Sequence, residues 1–232
     1  MIRLDKYLAH AKVGTRKEVK KLIRQGHIRV NGEICRKDDE KIDETNVEVL
    51  YDEEVIDYQE FYYIMLNKPP GYVSSNVDEL DPSVLHLIDE VFAFDLFCVG
   101  RLDVDTHGLL LLTNDGKFAH HLLSPRHNIE KEYYVELANN VSDSDIQQLE
   151  NGILIDDRYT KPAKVIKIDT NIVHLIIREG KFHQVKRMFI ALGNEVVDLK
   201  RIRIGLLGLD ESLEEGSYRF LSEKELQLLK GD

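Results

Sequence analysis

The chain has 232 residues, of which 43% are hydrophobic and 31% are charged, a composition that fits a globular protein with one main core and at most a small second module. It has no run of about 18 apolar residues, and its N-terminus lacks the apolar stretch of a signal peptide, so we expect a cytoplasmic protein that does not span a membrane. Cys35 and Cys98 have no CxxC or histidine partner at ligand spacing, which argues against a disulfide framework and predicts no metal site.

The net charge of −11 is distributed unevenly along the chain. Residues 1–37 carry eleven Lys and Arg against three Asp and Glu, a balance of +8. Residues 38–60 carry eleven Asp and Glu against one Lys, a balance of −10. A basic segment of this kind is typical of nucleic-acid binding, although two solvated faces of opposite charge would give the same count.

Two short helices are predicted near the N-terminus. The first covers residues 4–11 and is ended by Gly14, and the second begins at a capping box of Thr15 and Glu18 and is ended by Gly26. Like charges three or four residues apart repel each other, so we expect the second helix to lose stability by displaying its cations and an RNA backbone to neutralise them. The expected RNA-contacting residues of this helix are Arg16, Lys17, Lys20, Lys21 and Arg24.

A strand over residues 27–30 and an Asn31-Gly32 hairpin turn complete this segment. Residues 3–8, 14–16, 22–26 and 30–32 together resemble the RNA-binding module that several RNA-modifying enzymes share with a small-subunit ribosomal protein. We therefore expect residues 1–58 to form an RNA-binding module of helices and a hairpin, ending in an acidic linker.

Regular elements of a second domain begin at about residue 61. Strands are predicted over residues 61–66, 97–100, 109–113, 131–137, 153–155, 164–168, 172–177 and 195–199, and helices over 117–123, 142–150 and 183–192. Because the strands outnumber the helices and do not alternate strictly with them, the predicted fold class is α+β, with a large mixed, mainly antiparallel sheet over residues 59–232. No GxGxxG or P-loop pattern occurs, so no nucleotide cofactor is expected.

Segment 100–109 is a polar loop between two apolar strands. It holds an arginine, two aspartates, a threonine and a histidine, and burying such groups is costly unless they are paired, which predicts a functional site. The residues alone do not choose between Asp103 and Asp105 as the reactive carboxylate. A surface connection stabilised by Asp–Arg pairing is the alternative.

Segment 178–189 is a Gly-Lys loop that opens a helix. A helix start of this kind presents free amides and a positive dipole end to an anion. Lys186 and Arg187 follow His183 by three and four residues, which predicts that they share one helix face. An ordinary basic surface helix is the alternative.

Four motifs in chain order resemble those of pseudouridine synthases, in the branch that modifies single uridines of bacterial ribosomal RNA. They are residues 68–71, 100–109, 131–133 and 180–188. The resemblance implies that Asp103 is the catalytic carboxylate, that Tyr133 stacks on the target base and assists the later proton transfer, and that Lys186 pairs with Asp103. Strand alternation sends Tyr133 and Tyr134 to opposite faces, so only one of them can enter the site. The further RNA-binding residues that we expect here are Arg101, Lys181, His183 and Arg187.

The implied reaction isomerises a uridine of ribosomal RNA, with small-subunit rRNA as the expected substrate. It needs no redox step and no energy source, so no cofactor is expected. We also expect a monomer that acts on rRNA, free or within a ribosome-assembly intermediate. The alternatives are a large-subunit rRNA pseudouridine synthase, a non-catalytic rRNA-binding assembly factor, and a hydrolase built on Asp103 and Asp105. We expect these two carboxylates to face apart, which disfavours the hydrolase.

Overall fold

A computed structural model describes residues 1–56, 58–90 and 93–230. The chain divides into two compact units, Met1–Phe61 and Tyr62–Asp232. No helix in these described ranges is both long and apolar enough to cross a membrane.

The first unit contains two helices and two small antiparallel sheets. The helices are α1 (Leu4–His10) and α2 (Arg16–Gln25), and the strands are β1 (Ile2–Arg3), β2 (Ile28–Val30), β3 (Glu33–Ile34), β4 (Lys41–Ile42), β5 (Val49–Tyr51) and β6 (Glu54–Val55). β1 pairs with β4, and the other four strands form a sheet in the order β3-β2-β5-β6. The acidic segment 38–60 therefore carries three strands, and Val49 from this segment belongs to the core of the unit.

Local signals determine the bounds of α2. Thr15 and Glu18 form the predicted capping box, in which the Thr15 amide donates to the Glu18 carboxylate at 2.8 Å. Gly26 follows the helix with φ of +87°, a left-handed conformation that favours glycine. Val19 and Ile23, four residues apart, are fully buried in the core of this unit.

The second unit is built on one sheet of nine strands. The strands of this unit are β7 (Tyr63–Lys68), β8 (Phe97–Val99), β9 (His107–Thr113), β10 (Lys131–Leu137), β11 (Leu154–Ile155), β12 (Arg158–Tyr159), β13 (Lys164–Lys167), β14 (Ile172–Ile177), β15 (Val196–Ile204), β16 (Leu207–Gly208) and β17 (Tyr218–Phe220). The sheet order is β13-β14-β10-β15-β9-β7-β17, with β16 on β15 and β8 on β9, while β11 and β12 form a separate hairpin. Within the sheet only β9 and β15 pair in parallel, so the predicted α+β fold with a mixed, mainly antiparallel sheet is confirmed.

Helices cover both faces of this sheet. They are α3 (Gly116–Leu123), α4 (Asp143–Asn151), α5 (Gln184–Ala191) and α6 (Glu223–Lys230), with short 3-10 turns at Val84–Leu87 and Ala93–Asp95. Along β9, Leu110 and Leu112 belong to one core cluster and Leu109 and Leu111 to the other. A strand buried on both faces is expected to be a continuous apolar run, which is how this segment appears in the sequence.

The parallel pairing of β9 and β15 depends on a close approach of the two backbones. A Cβ atom at Gly108 would lie 2.4 Å from the carbonyl oxygen of Arg201, and Gly108 has φ of +94°. Only glycine fits this position without displacing β15. The end of the polar loop is thereby fixed to the middle of the sheet.

Candidate active site

A buried lysine at the end of β7 donates hydrogen bonds to the backbone of the polar loop 100–106. Lys68 has no exposed surface, and its Nζ donates to the carbonyl oxygens of Pro69 at 3.0 Å, Asp103 at 3.2 Å, Val104 at 3.2 Å and Thr106 at 2.8 Å. Burial lowers the pKa of Lys68 to about 8, against the opposing effect of nearby carboxylates. One ammonium group therefore joins the backbone after β7 to the backbone of residues 103–106.

Two further bonds fix the same loop. The buried Ser74 hydroxyl accepts from the Leu102 amide at 3.1 Å and donates to the Leu102 carbonyl at 3.0 Å. The Gly71 amide donates to the Val104 carbonyl at 2.8 Å. Segment 68–74 is thus a rigid support for the residues that carry Asp103. Sequence reasoning identified residues 68–71 as a motif but did not reveal this supporting role.

Asp103 meets a lysine and a histidine from the start of α5. Its Oδ2 lies 3.3 Å from Lys186 Nζ, and its Oδ1 lies 3.5 Å from His183 Nε2, an ion pair only when the histidine is protonated. The carboxylate is about one quarter exposed, so it remains accessible from solvent. The structure therefore brings Asp103 and Lys186 together.

Asp105 shares the same lysine. Its Oδ1 lies 2.5 Å from Lys186 Nζ, and although burial raises the pKa of Asp105, the hydrogen bond and charge of Lys186 lower it overall. The expectation that Asp103 and Asp105 face apart is wrong. Residues two positions apart share a face even in an extended strand, and here the turn of the loop brings both carboxylates to one ammonium group. Asp105 is 73% exposed, whereas Asp103 lies in the wall of a cleft.

The start of α5 gives Arg187 different partners from those of His183 and Lys186. His183 caps the helix with φ of +48°, and its ring stacks on Phe182 with a centroid separation of 3.7 Å. Arg187 pairs with Asp156 and donates to the Phe182 carbonyl at 3.1 Å, away from the Asp103 loop. The predicted common face of Lys186 and Arg187 is therefore wrong, because consecutive residues of a helix diverge by about 100°.

A cleft of about 690 Å³ lies above this loop. Four of the residues predicted for the site line it together with Asp103: Arg101, Tyr133, Lys181 and His183. Tyr133 is buried in the main core cluster and lines the cleft, whereas Tyr134 makes an edge contact with His174, so the predicted alternation holds. Arg101 is 69% exposed and lies 3.9 Å from Glu79.

Comparison with known proteins identifies the two units. The model of the RNA pseudouridylate synthase family matches residues 62–191, and that of the S4 domain matches residues 2–47. The chain belongs to the RNA pseudouridylate synthase family. This synthase is 46% identical to the "Uncharacterized RNA pseudouridine synthase YtzG" of Bacillus subtilis over 98% of each chain. It is 45% identical to "Ribosomal small subunit pseudouridine synthase A" of Haemophilus influenzae over 98% of this chain and 99% of the relative.

A solved structure agrees with this assignment. The synthase matches a crystal structure of pseudouridylate synthase with a TM-score of 0.71 and 44% identity, over 99% of this chain and 100% of the other. The predicted family and the predicted enzyme class, an isomerase, are thereby confirmed.

In the S4 domain of the synthase, three of the five cations of α2 are paired with carboxylates. Arg16 Nε and Lys20 Nζ lie 3.2 and 3.5 Å from Asp5, and Lys20 and Arg24 lie 3.6 and 3.1 Å from Asp38. Asp5 is fully buried, and its hydrogen bond from Arg3, followed by that from Arg16, holds its pKa well below the usual range. The expected mutual repulsion along the helix is therefore wrong for these residues, because carboxylates from distant segments lie between them.

The other two cations of the helix, Lys17 and Lys21, are exposed. Neither has an ion pair within residues 1–56, 58–90 and 93–230. They are the cations of this helix that remain free to meet an external anion.

Within the described part of the synthase, no three His, Cys, Asp or Glu side chains are grouped as metal ligands. Four further cations line the cleft that the sequence did not assign to the site: Lys131, Lys161, Arg178 and Arg201. Lys131 was recognised only as part of a motif. Arg201 belongs to the second half of β15, which was not predicted, and its signal is a lone arginine at an inward position of a strand.

Proposed function

We propose that this synthase isomerises a uridine of small-subunit ribosomal RNA, with Asp103 as the catalytic carboxylate and without a cofactor. The names of relatives that are 43–45% identical over nearly their whole length support the choice of substrate. The observation that carries the catalytic assignment is the position of Asp103 in the cleft wall, with the Lys186 ammonium 3.3 Å from its carboxylate.

The residues fit the bond changes of this reaction. The bond between the anomeric carbon and N1 of uracil breaks, a bond from the same carbon to C5 forms, C5 loses a proton and N1 gains one. An ionised Asp103 can add to the anomeric carbon or remove the neighbouring ribose proton to form a glycal. Both routes use the charged carboxylate, and the Lys186 ammonium lies 3.3 Å from it.

The cleft also offers a place for an extruded base. Taking a uridine out of its stack costs a few kcal/mol, and stacking on an aromatic ring returns about 1–3 kcal/mol per base. Tyr133 lines the cleft and supplies this ring, and its hydroxyl is the group that we assign to the later proton transfer. At the cleft edge, Arg101 and the exposed Phe182 are placed to hold the flanking RNA.

The S4 domain is assigned the task of holding the RNA backbone. Its free cations Lys17 and Lys21 can neutralise phosphates and release counterions. The substrate is rRNA, free or within an assembly intermediate, in which the target nucleotide is able to leave its stack.

The experiment that tests this function maps pseudouridines in rRNA from cells that lack the protein. We expect one site in small-subunit rRNA to lose its modification, wild-type protein to restore it, and Asp103→Asn to leave it unmodified at equal protein abundance. A lost site in large-subunit rRNA would overturn the substrate assignment. An unchanged modification pattern would overturn the proposed rRNA activity.

A further inference from the structure

We propose that Lys131 and Arg201 form a phosphate-binding subsite in the cleft wall, with Lys161 at its edge, which takes a phosphodiester of the substrate RNA next to the target uridine. This inference rests on the proposed function. It gives the cleft a contact to the RNA backbone, made when the substrate binds, beside the catalytic residue Asp103.

The first observation is an arginine with unused donors. Arg201 is only 3% exposed, and its Nε donates to the carbonyl oxygen of Leu109 at 2.7 Å. Its Nη2 is buried and has no hydrogen-bond partner among the described residues, although the side chain lines the cleft. An unpaired buried guanidinium is costly, and this one lies in the cleft wall, where an anion can bind beside it.

The second observation is a lysine on the adjacent strand. Lys131 lies two residues before Tyr133 on β10, and Tyr133 is the cross-strand partner of Arg201 on β15. Lys131 is half-buried and lines the cleft, and its ammonium group has no hydrogen bond or ion pair within the described ranges. Arg201 and Lys161 line the same cleft. Burial lowers the pKa of Lys131, and the charges of Arg201 and Lys161 lower it further.

The fold supplies partners to neighbouring cations but not to these. On the same strand as Arg201, Arg203 pairs with Glu132 at 2.6 Å and with Glu130 at 3.2 Å. Lys161 is exposed, and its Nζ donates to the neutral Asn128 side chain at 3.0 Å. The unbalanced positive charge is therefore local to the cleft.

The charge of the whole cleft points the same way. Its lining contains six Lys and Arg and three Asp and Glu, in a chain whose net charge is −11. Each of the three carboxylates already has a basic neighbour, since Asp103 contacts Lys186, Glu79 lies near Arg101 and Glu179 lies near Lys181. Of the other four cations of the lining, Arg178 pairs with Glu130 at 2.9 Å, which leaves Lys131, Lys161 and Arg201 without a carboxylate partner among the described residues.

Phosphate is the anion that fits best. A guanidinium binds phosphate oxygens in a fork geometry, and an ammonium adds a point charge that suits the same group. A phosphate is charged before the reaction starts, so it can compensate these cations in the bound complex. Negative charge on the uracil exists only while the glycosidic bond is broken, and a contact to that charge would act on the rate instead of on binding.

The test measures RNA binding and chemistry separately. The probe is a small-subunit rRNA fragment that the wild type modifies, and the variants are Lys131→Met and Arg201→Lys, with Lys164→Met as the control at an exposed lysine outside the cleft. We expect Lys131→Met to weaken binding about 5- to 8-fold at 0.1 M salt and to reduce the salt slope of log Kd by about 0.7–0.9. Its single-turnover rate at saturating RNA should stay within about 2-fold, because the phosphate contact is equally present in ground and transition states. Arg201→Lys, which keeps the charge and loses the fork, should weaken binding less.

A second arm locates the phosphate. Each phosphate around the target uridine is replaced in turn by an uncharged methylphosphonate. One position should weaken binding to the wild type and to Lys164→Met, and should have no further effect on Lys131→Met. Since Lys131 is an unpaired and half-buried cation, Lys131→Met should melt at or above the wild-type temperature, whereas a structural role would lower its melting temperature.

Two results would overturn the subsite. If Lys131→Met kept the wild-type affinity and salt slope but had a slower rate at saturating RNA, the cations would act on the uracil. If its affinity, salt slope and saturating rate were all unchanged, the cations would not contact the RNA. Failure of the proposed function is a different result, because the wild-type protein would then produce no pseudouridine in the rRNA fragment.

Discussion

The ion pairs of α2 make a sharp prediction about which lysines hold RNA. Lys17 and Lys21 are exposed and have no ion pair in the described part of the chain, whereas Lys20 is shared between Asp5 and Asp38. A cation that already neutralises a carboxylate gains little from a phosphate. The double variant Lys17→Gln/Lys21→Gln should therefore lose most of the electrostatic binding that this helix provides.

The magnitude follows from counterion release. Each phosphate contact contributes about 0.7–0.9 to the slope of log affinity against log salt, so two lost contacts reduce the slope by about 1.4–1.8. At 0.1 M salt this corresponds to about 25- to 60-fold weaker binding. Fluorescence anisotropy with a labelled rRNA fragment, measured between about 0.05 and 0.3 M salt, gives both numbers.

The matched control is Lys20→Gln/Arg24→Gln on the same helix. This variant should lose less of the salt slope, and it should melt at a lower temperature because Asp38 loses both partners and the buried Asp5 loses one. If the control lost the slope and Lys17→Gln/Lys21→Gln kept it, the ion pairs would have to open when RNA binds, and the reasoning from the unbound pairing would be refuted.

Three further predictions concern the cleft. Lys186→Met should slow single-turnover chemistry at least about 100-fold, since a displacement of Asp103 by about 1 Å is enough for such a loss. Arg187→Met should change this rate much less, because Arg187 pairs with Asp156 and not with Asp103. Tyr133→Leu should lose about 1–3 kcal/mol of base stacking, measured as weaker binding of the rRNA fragment, and Tyr134→Leu should not. Because the pKa of Lys68 is lowered from 10.5 to about 8, the folded protein binds fewer protons than the unfolded chain between these values, and stability from this group rises with pH. In urea unfolding, the free energy of unfolding of the wild type relative to that of Lys68→Met should rise by up to about 3.4 kcal/mol between pH 8 and 10.5. A difference between the two proteins that does not change with pH would contradict this pKa.

Local patterns predicted the elements whose signals lie within them. The capping box and Gly26 fixed the bounds of α2, and alternation along β10 separated Tyr133 from Tyr134. The second half of β15 was missed because Arg201 and Arg203 resemble solvated residues in sequence. Their partners, or lack of partners, depend on strands that are distant in the chain.

The same limit applies to the site. The resemblance predicted that Lys186 pairs with Asp103, and the structure brings these two side chains together. The ion pairs of Lys20 with Asp5 and Asp38 were not predicted, because they join residues fifteen and eighteen positions apart. The support of the polar loop by Lys68 likewise joins positions 68 and 103–106, which no local pattern connects.

The most direct measurement of the catalytic claim uses a small-subunit rRNA transcript labelled with tritium at C5 of uracil. Wild type should release one tritium for each modified uridine, Asp103→Asn should release none above background while still binding the transcript, and Asp105→Asn should keep measurable release. Release by Asp103→Asn at the wild-type rate would contradict the assignment, as would an inactive Asp105→Asn beside an active Asp103→Asn.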